Sequence, residues 1–350
     1  MKVELPVRRA ILDRRTYEAP GEGRGGKIRL DFNENTSGCS PAARKALASL
    51  SAKDIARYPE YAAPTRELAK HFRVRPAELL LTNGGDDALR VFFDTFVEPH
   101  THVLICEPTF PMYRYYAEIA GARVEALRYG ANMEFPVADA LAALKKKPRV
   151  FFLANPNNPT GTLVSKNMIA DLVCAATHSV VVIDEAYAEF SRETVVPWAR
   201  RYPHLFVART FSKAAGLAAL RLGAVVGHRD SLALVRRAMP PYPVNLAALA
   251  AACAAARERK TMARYVAETQ RRRAWFAREL ERAGVRVFPS AANFLLADFG
   301  QTGPAFFRKL ARQDILVRER SRDLGPSYAR ITIGTQAEME KLLSLLRRKG

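Results

Sequence analysis

A lysine follows an apolar run that predicts a buried strand. Lys213 ends the segment Thr210-Phe211-Ser212-Lys213, which comes directly after the strand candidate Leu205–Arg209. Open α/β sheets bind ligands beyond the carboxyl ends of their strands. The amine of a lysine at that edge can condense with an aldehyde once burial and nearby cations lower its pKa from about 10.4. Lys213 is therefore a candidate nucleophile, whereas an isolated lysine is more often an ordinary surface residue.

Two further features could bind an anion. Ser212 and Arg221 offer a hydroxyl and a planar set of guanidinium donors, which suit a phosphate. The segment 83–87 (Asn-Gly-Gly-Asp-Asp) lies between a predicted strand and a predicted helix, where backbone N–H groups and the helix dipole can face an anion. Many strand–helix turns have this composition, so the segment supports a phosphate site only together with the other residues.

A carboxylate and a phenol follow another buried strand. Asp184 comes directly after Val180–Ile183, and Tyr187 comes three residues later. A carboxylate at this edge can keep a pyridine nitrogen protonated, which makes the ring an electron sink, and the phenol could donate to a ring oxygen. The alternative for Asp184 is a helix N-cap.

A proline-rich turn and an aromatic residue follow two more strands. In the segment 155–161 (Asn-Pro-Asn-Asn-Pro-Thr-Gly) the prolines predict a rigid turn, which could hold the amide of Asn157 or Asn158 as a donor to an anionic ring oxygen. Phe110 follows the strand candidate His102–Cys106 and could stack on a flat cofactor. Core packing is the alternative for Phe110, and a plain loop is the alternative for the turn.

The order of the elements predicts an α/β fold with two domains. Between residues 79 and 226, short apolar runs alternate with helical patterns, which indicates a mostly parallel sheet covered by helices on both faces. After Pro243 an alanine-rich helix, a long arginine-rich helix and three strand candidates predict a smaller α+β domain. We expect an N-terminal arm that is also part of the small domain over residues 1–45, a large domain over 46–245 and a small domain over 246–350.

One motif is rejected on its context. Residues 21–26 spell the GxGxxG of dinucleotide-binding loops, which must follow a strand and open a helix. Here residues 17–20 (Tyr-Glu-Ala-Pro) precede the glycines and a strand-like segment, Ile28–Phe32, follows them. We therefore interpret the segment as a surface loop.

The composition limits the possible partners. The net charge of +20 is compatible with nucleic acid, an anionic membrane surface or a phosphorylated substrate. The positive residues are mostly dispersed, and the densest groups, 145–147 and 271–273, lie in predicted helices or at helix ends. We expect small-molecule substrates, with no nucleic acid and no membrane as partners. A basic nucleic-acid-binding protein is the alternative from a different class.

Cysteines and hydropathy indicate a cytoplasmic protein without a metal. The four cysteines, Cys39, Cys106, Cys174 and Cys253, form no CxxC pair, and the six histidines form no HExxH motif. The first 20 residues are charged throughout, which is not typical of a secretory signal. No apolar run reaches the length of about 18 residues that a membrane-spanning helix requires.

Seven segments together resemble one family, the fold-type I aminotransferases of classes I and II, and within it the histidinol-phosphate aminotransferase branch. The resemblance runs from about residue 28 to the C-terminus, and the order of the segments matches. The segments are Arg57-Tyr58-Pro59, Asn83-Gly84-Gly85-Asp86, Pro108-Thr109-Phe110, Asn157-Asn158-Pro159-Thr160-Gly161, Asp184-Glu185-Ala186-Tyr187, Ser212-Lys213 with Arg221, and Arg330-Ile331-Thr332-Ile333-Gly334.

The resemblance implies pyridoxal 5'-phosphate as the cofactor. Lys213 would hold it as a Schiff base and move the substrate proton, Asp184 would pair with the pyridine nitrogen, and Phe110 would stack on the ring. Tyr187 and Asn158, or the neighbouring Asn157, would donate to the phenolic oxygen. The residues implied for the cofactor phosphate are Gly85, Asp86, Thr210, Ser212 and Arg221, with Tyr58 from the partner subunit of a homodimer.

The resemblance also implies the substrates. Arg330 matches the arginine that holds the carboxylate of glutamate or the distal phosphate of histidinol phosphate, and Arg318 matches a second arginine used for that phosphate. Two guanidinium groups suit a phosphorylated amine. The implied reaction exchanges an amino group between glutamate/2-oxoglutarate and histidinol phosphate/imidazole acetol phosphate, in histidine biosynthesis. Transamination of an aromatic amino acid and decarboxylation of a phosphorylated amino acid are the alternatives with the same fold.

Overall fold

Two β-sheets form the framework of the chain in the computed structural model, which describes residues 5–12 and 22–347. Part of the predicted N-terminal arm, and Gly21 of the rejected glycine motif, lie outside the described residues. In chain order the strands are β1 (Ile28–Leu30), β2 (Leu79–Thr82), β3 (His102–Glu107), β4 (Arg123–Arg128), β5 (Val150–Ala154), β6 (Val180–Asp184), β7 (Leu205–Thr210), β8 (Gly223–Gly227), β9 (Arg286–Val287), β10 (Phe294–Asp298), β11 (Ile315–Glu319) and β12 (Tyr328–Thr332).

Helices cover both sheets. In chain order they are α1 (Arg9–Leu12), α2 (Pro41–Ala48), α3 (Ala52–Ile55), α4 (Ala62–Phe72), α5 (Gly84–Phe96), α6 (Met112–Ile119), α7 (Val137–Leu144), α8 (Lys166–Ala175), α9 (Ala188–Ser191), α10 (Arg229–Arg236), α11 (Leu246–Arg257), α12 (Arg259–Arg282), α13 (Gly303–Arg312) and α14 (Gln336–Arg347). Short 3₁₀ helices occur at Pro76–Glu78, Val196–Trp198, Ala218–Leu220 and Gly300–Thr302.

The larger sheet has the order β2-β8-β7-β6-β5-β3-β4. Its strands are parallel except β8, which is antiparallel to both β2 and β7. Alternate residues of each strand pack into two different clusters: Phe151 and Ile183 face one side, and Phe152 and Val182 face the other. The helices α2, α4, α7, α8 and α11 contribute to the first cluster, and α5, α6 and α10 contribute to the second. The predicted α/β fold with a mostly parallel, doubly covered sheet is confirmed.

One edge of this sheet collects the polar segments. Five strands that run in the same direction, β2, β3, β5, β6 and β7, end there, and the antiparallel β8 begins there. The segments that the sequence singled out follow these five strand ends, and Arg221 precedes the start of β8. Parallel strands present their carboxyl ends at one edge, so residues far apart in sequence converge.

The smaller sheet lies across this edge. Its order is β1-β11-β12-β10-β9, in which β1 is parallel to β11 and the other pairs are antiparallel. Its core includes Phe276 of α12, Phe307 of α13 and Leu342 of α14, which are all buried. Because β1 joins this sheet, the segment before residue 45 takes part in it.

The alanine-rich helix α11 packs against the larger unit. Asn245 caps it by accepting a hydrogen bond from Ala248 N–H at 2.8 Å, and its buried face contacts α2 and α4. Buried residues such as Ala248 and Ala252 belong to the same cluster as Phe151 of the large sheet. Contacts therefore cross the predicted boundary at residue 245, and the division into domains stays a prediction.

In the described part of the chain, no helix is both long enough and apolar enough to span a membrane.

We expect Gly223→Ala to destabilise the protein by about 1–3 kcal/mol, because the larger residue overpacks a filled contact. A Cβ at Gly223 would lie 2.5 Å from the backbone of Gly84, at the start of α5. Denaturant unfolding monitored by circular dichroism measures the change. Gly25→Ala is the matched control, since a Cβ there meets no atom within 4 Å. Equal stability of the two variants would contradict close packing of β8 against α5.

Candidate active site

A cavity of about 490 Å³ opens between the carboxyl edge of the large sheet and the small sheet. It is lined by most of the residues that the sequence singled out. These are Gly85, Asp86, Phe110, Asn158, Asp184, Tyr187, Thr210, Ser212, Lys213, Arg221, Arg318 and Arg330. The structure thus brings together residues that are spread over 245 positions of the chain, from Gly85 to Arg330.

Two predicted residues lie elsewhere. Asn157 is buried outside the cavity, where its amide N–H groups bind Pro108 O and Thr160 Oγ1, both at 2.9 Å, and its oxygen accepts from Thr109. These neighbours use the amide of Asn157 to hold the turn, so Asn158 is the asparagine that faces the cavity. Tyr58 is 78% exposed and stacks on Tyr242 with ring centroids 4.4 Å apart, away from the cavity of its own chain.

Lys213 lies on the cavity wall, and within the part of the chain that the structure describes its side chain makes a single hydrogen bond. Its Nζ donates to the backbone carbonyl of Phe32 at 2.8 Å. Burial lowers the pKa of the Lys213 amine to about 8, and the positive charge of Arg330 acts in the same direction. A substantial fraction of the amine is therefore neutral near physiological pH, as a nucleophile or base requires.

Asp184, at the end of β6, is held by two donors. Its Oδ2 accepts from the Tyr113 hydroxyl at 2.7 Å, and its Oδ1 accepts from Ala186 N–H at 3.0 Å. Burial raises the pKa of the Asp184 carboxyl above its ordinary value, while these two hydrogen bonds act in the opposite direction. Tyr113 stacks on Phe152 of β5, so core packing fixes the Tyr113 phenol. The phenol in turn orients the Asp184 carboxylate through its hydrogen bond.

Tyr187 is fixed by a residue from the other side of the cavity. Its hydroxyl accepts from Asn33 Nδ2 at 2.9 Å, and its ring packs edge-on against Phe294. Burial raises the pKa of the Tyr187 phenol above its ordinary value. The phenol therefore stays protonated at neutral pH and keeps its O–H for a ligand in the cavity.

Hydrogen-bond donors gather at the N-terminus of α5. Gly84 has a φ of +84°, and a Cβ there would lie 2.5 Å from the guanidinium of Arg221, so only glycine allows this approach. Arg221 Nη2 lies 3.1 Å from Asp86 Oδ2. Ser212 lies beside Thr210, whose Oγ1 accepts from Ser212 N–H at 3.1 Å. A helix N-terminus with hydroxyls and a guanidinium is suited to bind a phosphate.

The opposite end of the cavity carries arginines on the small sheet. Arg330, on β12, is buried and donates to Asn158 Oδ1 and to the carbonyl of Asp31. Burial lowers the pKa of Arg330 to about 10, so the guanidinium remains charged at neutral pH. Arg318 lies opposite Arg330 in the β11–β12 ladder, and both side chains line the cavity.

The comparisons with known proteins agree with this geometry. The sequence profile of the family "Aminotransferase class I and II" matches residues 25–346. The chain belongs to the class I and II aminotransferases. It is 35% identical over 333 residues to the histidinol-phosphate aminotransferase of Geobacillus sp. (strain WCH70), covering 91% of this chain and 89% of that protein.

Solved structures share the fold of this chain. The histidinol-phosphate aminotransferase of Sinorhizobium meliloti in complex with pyridoxal-5'-phosphate has a TM-score of 0.90 and 23% identity, covering 99% of each chain. The L-threonine-O-3-phosphate decarboxylase of Porphyromonas gingivalis has a TM-score of 0.80 and 25% identity, covering 91% of this chain and 98% of that chain. The predicted fold type is therefore confirmed.

The cavity fits pyridoxal phosphate, the cofactor of class I and II aminotransferases. It has three separate groups: the Lys213 amine, whose pKa is lowered, the Asp184 carboxyl, whose pKa is raised, and the donor-rich N-terminus of α5. These suit an aldehyde, a pyridine nitrogen and a phosphate respectively. The predicted cofactor is thus supported by the aminotransferase family and by the side chains present.

The sequence did not identify several residues of this aminotransferase cavity. The sequence pattern around Tyr113 predicts an ordinary core residue of an amphipathic helix. Its ring is indeed buried, and only its hydroxyl reaches Asp184. Phe32 and Asn33 precede the large domain, and their local pattern does not indicate that Phe32 contacts Lys213 and Asn33 contacts Tyr187. Arg29 and Arg320 also line the cavity. Arg320 comes two positions after Arg318. Because side chains alternate between the two faces of extended chain, this spacing could have indicated that both face the cavity.

Among the described residues, no group of three or more His, Cys, Asp or Glu side chains could hold a metal ion. The expectation of no metal stays a prediction.

We expect the rate at which Lys213 takes up added pyridoxal phosphate to rise with pH up to about 8 and then to level off. Only the neutral amine attacks the aldehyde, so the rate should fall about tenfold per pH unit below the pKa. Stopped-flow absorbance of cofactor-free protein between pH 6 and 10 measures this rate. Nα-acetyl-lysine is the control, and its rate should continue to rise towards pH 10. A protein rate that also rises beyond pH 9.5 would contradict the lowered pKa.

Proposed function

We propose that this aminotransferase exchanges an amino group between histidinol phosphate/imidazole acetol phosphate and glutamate/2-oxoglutarate, in histidine biosynthesis. One observation carries the proposal: a single cavity has Lys213 and Asp184 on its large-sheet side and the guanidinium groups of Arg318 and Arg330 on its small-sheet side. The Geobacillus relative named above, at 35% identity, supports the choice of substrate.

Lys213 and Asp184 carry the chemistry in this proposal. When bound, pyridoxal phosphate supplies an electron-withdrawing ring that stabilises negative charge at the substrate Cα. Asp184 would hold the ring nitrogen protonated, and Tyr113 keeps the Asp184 carboxylate oriented. Lys213 would anchor the cofactor and, once displaced by the substrate amine, accept the proton from Cα. A pKa of about 8 suits this role because the amine can take and return a proton near neutral pH.

The remaining residues would position the cofactor. The phosphate would be bound by the N-terminus of α5 at Gly85 and Asp86, together with Arg221 and the hydroxyls of Thr210 and Ser212. Arg221 is available there because its contact with Asp86, at 3.1 Å, leaves further guanidinium donors. Phe110 would stack on the ring, and Tyr187 and Asn158 would donate to its phenolic oxygen.

Arg330 and Arg318 would hold the distal anion of either substrate. Arg330 has neutral partners, a side-chain amide and a backbone carbonyl, so its charge is not neutralised by a carboxylate. A buried guanidinium with an uncompensated charge attracts an anionic ligand strongly. The distal phosphate of histidinol phosphate and the γ-carboxylate of glutamate both meet this requirement.

The proposal includes a cytoplasmic homodimer that binds no nucleic acid and no membrane. Tyr58 and Tyr242 form an exposed aromatic pair, which suits a subunit contact, and Tyr58 would reach the cofactor phosphate of the partner subunit. All four cysteines are free thiols, which is typical of a reducing compartment. In this proposal the net positive charge of the protein attracts its anionic substrates.

A second candidate is decarboxylation of a phosphorylated amino acid. The Porphyromonas decarboxylase, at 25% identity, favours it, and its named substrate also carries a phosphate. Both candidates use the same cofactor side of the cavity and differ in which bond at Cα is broken. No specific observation favours an aromatic amino acid.

We expect histidinol phosphate to convert the cofactor-loaded protein to its aminated form, with loss of the visible absorbance band. In the proposed half-reaction Lys213 would accept the proton from Cα and histidinol phosphate would lose its amino group, so 2-oxoglutarate, as the acceptor of that group, should restore the band. Phosphothreonine with assay for carbon dioxide tests the second candidate, and phenylalanine tests the aromatic one. A band that ignores histidinol phosphate but responds to another amine would overturn the proposed substrate and leave the aminotransferase assignment in place.

Lys213→Ala should lower the rate of this half-reaction by a factor of about 10²–10⁴ or more, since it removes both the anchor and the base. Single-turnover absorbance measures the rate. Lys166→Ala is the matched control, because Lys166 is exposed in the first turn of α8 and does not line the cavity. A half-reaction that proceeds equally fast in both variants would exclude Lys213 as the base.

A mixture of two inactive variants tests the homodimer. Tyr58→Ala removes the predicted partner contact and Lys213→Ala removes the base, so each pure variant should lose activity. Random reassociation should restore roughly a quarter of the wild-type activity, because half of the dimers would hold one site with both native residues. Activity after mixing, together with sedimentation equilibrium, measures this. A monomer, or no recovery in a mixture that exchanges subunits, would contradict a shared site.

A further inference from the structure

The small sheet places four arginines on the side that faces the cavity. Arg318 pairs directly with Arg330 across the β11–β12 ladder, and Arg320 follows Arg318 by two positions. The N–H of Arg320 donates to the carbonyl of Tyr328 at 2.9 Å, so the extended pairing continues to this residue. Arg29 pairs with Leu316 in the parallel β1–β11 ladder. Since side chains alternate along a strand and paired residues share a face, all four point the same way.

These four arginines have different partners. Arg330 binds neutral oxygens, and no carboxylate lies within ion-pair distance of Arg318 in the described part of the chain. Arg29 pairs with Glu34, and Arg320 pairs with Asp323 through its Nη2. The outer two arginines are thus held in place by carboxylates but still line the cavity, and the inner two have no carboxylate partner.

Three of the four guanidinium groups have a buried N–H without a partner. Among the described residues, the Nε atoms of Arg29, Arg320 and Arg330 are buried and make no hydrogen bond. The Nε atoms of Arg209 and Arg272 are likewise buried and unpaired, and a solvent-inaccessible Nε cannot be reached by a ligand in the cavity. What the wall offers a ligand is therefore the remaining guanidinium donors of these arginines, which line one cavity.

Arg320 is the best placed of the outer pair. Its side chain is only 12% exposed, compared with 40% for Arg29. Its backbone carbonyl accepts from Leu324 N–H at 2.9 Å, which closes a turn that also contains Asp323. The Asp323 contact and this turn fix the guanidinium before any ligand arrives, so little conformational entropy is lost on binding.

The number of guanidinium groups bears on the charge of the ligand. A carboxylate has one charge and two oxygens, which Arg330 and Arg318 can already match. A phosphate monoester carries a charge of about −1.5 to −2 and has three acceptor oxygens. A further guanidinium adds donors for the third oxygen, and its Coulomb attraction to a dianion exceeds that to a monoanion, although Asp323 offsets part of the charge of Arg320.

We propose that Arg320 determines specificity for the distal group, adding a third guanidinium to Arg318 and Arg330 that favours a phosphate monoester over a carboxylate. The inference rests on the proposed function, because it assigns the arginine wall of the cavity to the distal end of the substrate. Arg320 directly follows β11, at the start of the turn that contains Asp323, and in this proposal it contacts the ligand itself.

The test is Arg320→Gln in the cofactor-loaded enzyme. We expect kcat/KM for histidinol phosphate to fall by about tenfold to a hundredfold, as for loss of a charge-assisted hydrogen bond, and kcat/KM for 2-oxoglutarate to change by less than about threefold. Arg320→Lys should recover part of the preference, since it keeps the charge and loses the planar donors. Arg322→Gln is the matched control, because Arg322 is exposed on the same turn and does not line the cavity.

A binding measurement separates this inference from the proposed function. Titration calorimetry of wild type, Arg320→Gln and Arg322→Gln with propyl phosphate and with glutarate compares the two anions without turnover. A selective loss of propyl phosphate binding in Arg320→Gln supports the inference even if histidinol phosphate proves not to be the substrate. Equal losses for both anions, or no loss for either, in a variant with wild-type thermal stability overturn it.

Discussion

The segment Asp31–Asn33 joins the two sheets around the cavity, and the geometry of the site depends on it. The carbonyl of Asp31 accepts from Arg330, and the carbonyl of Phe32 accepts from Lys213 at 2.8 Å. The side chain of Asn33 binds Tyr187 on one side and Thr332 on the other. Three consecutive residues thus contact both the wall that carries Lys213 and the wall that carries Arg330, and Asn33 among them adopts a φ of +56°. Displacement of this segment would change the distance between Lys213 and Arg330.

Burial has opposite consequences for the two central groups of the cavity. It lowers the pKa of the Lys213 amine, because the charged ammonium loses hydration, and it raises the pKa of the Asp184 carboxyl for the same reason. Asp184 is compensated by hydrogen bonds from Tyr113 and Ala186, whereas the ammonium of Lys213 has one carbonyl. The site therefore makes the neutral amine more accessible than in a solvated lysine and places it beside an anchored carboxylate. A cofactor that needs a nucleophile and an anionic partner fits between them.

Much of the fold could be predicted from local patterns. The strand candidates His102–Cys106, Val180–Ile183 and Leu205–Arg209 lie within one residue of the observed β3, β6 and β7, because a parallel sheet buried on both faces produces continuous apolar runs. The short β11 was not identified, since Ile315–Glu319 carries two charges in five residues and follows a helix closely. The packing of α11 against the large sheet was also not predicted, because an alanine-rich helix is apolar on every side and its sequence does not indicate which neighbour it contacts.

The sequence by itself determined the residue types of the site and the edge of the sheet on which they lie. Short turns after parallel strands fix Asp184, Asn158 and Lys213 at that edge, whatever the rest of the chain does. Only the tertiary structure decided which of Asn157 and Asn158 faces the cavity, that Tyr113 and Asn33 orient Asp184 and Tyr187, and that Arg320 joins the arginine wall. These contacts span 71 residues between Tyr113 and Asp184 and 154 between Asn33 and Tyr187. The directions of such side chains depend on how two sheets pack against each other, and no local pattern encodes that arrangement.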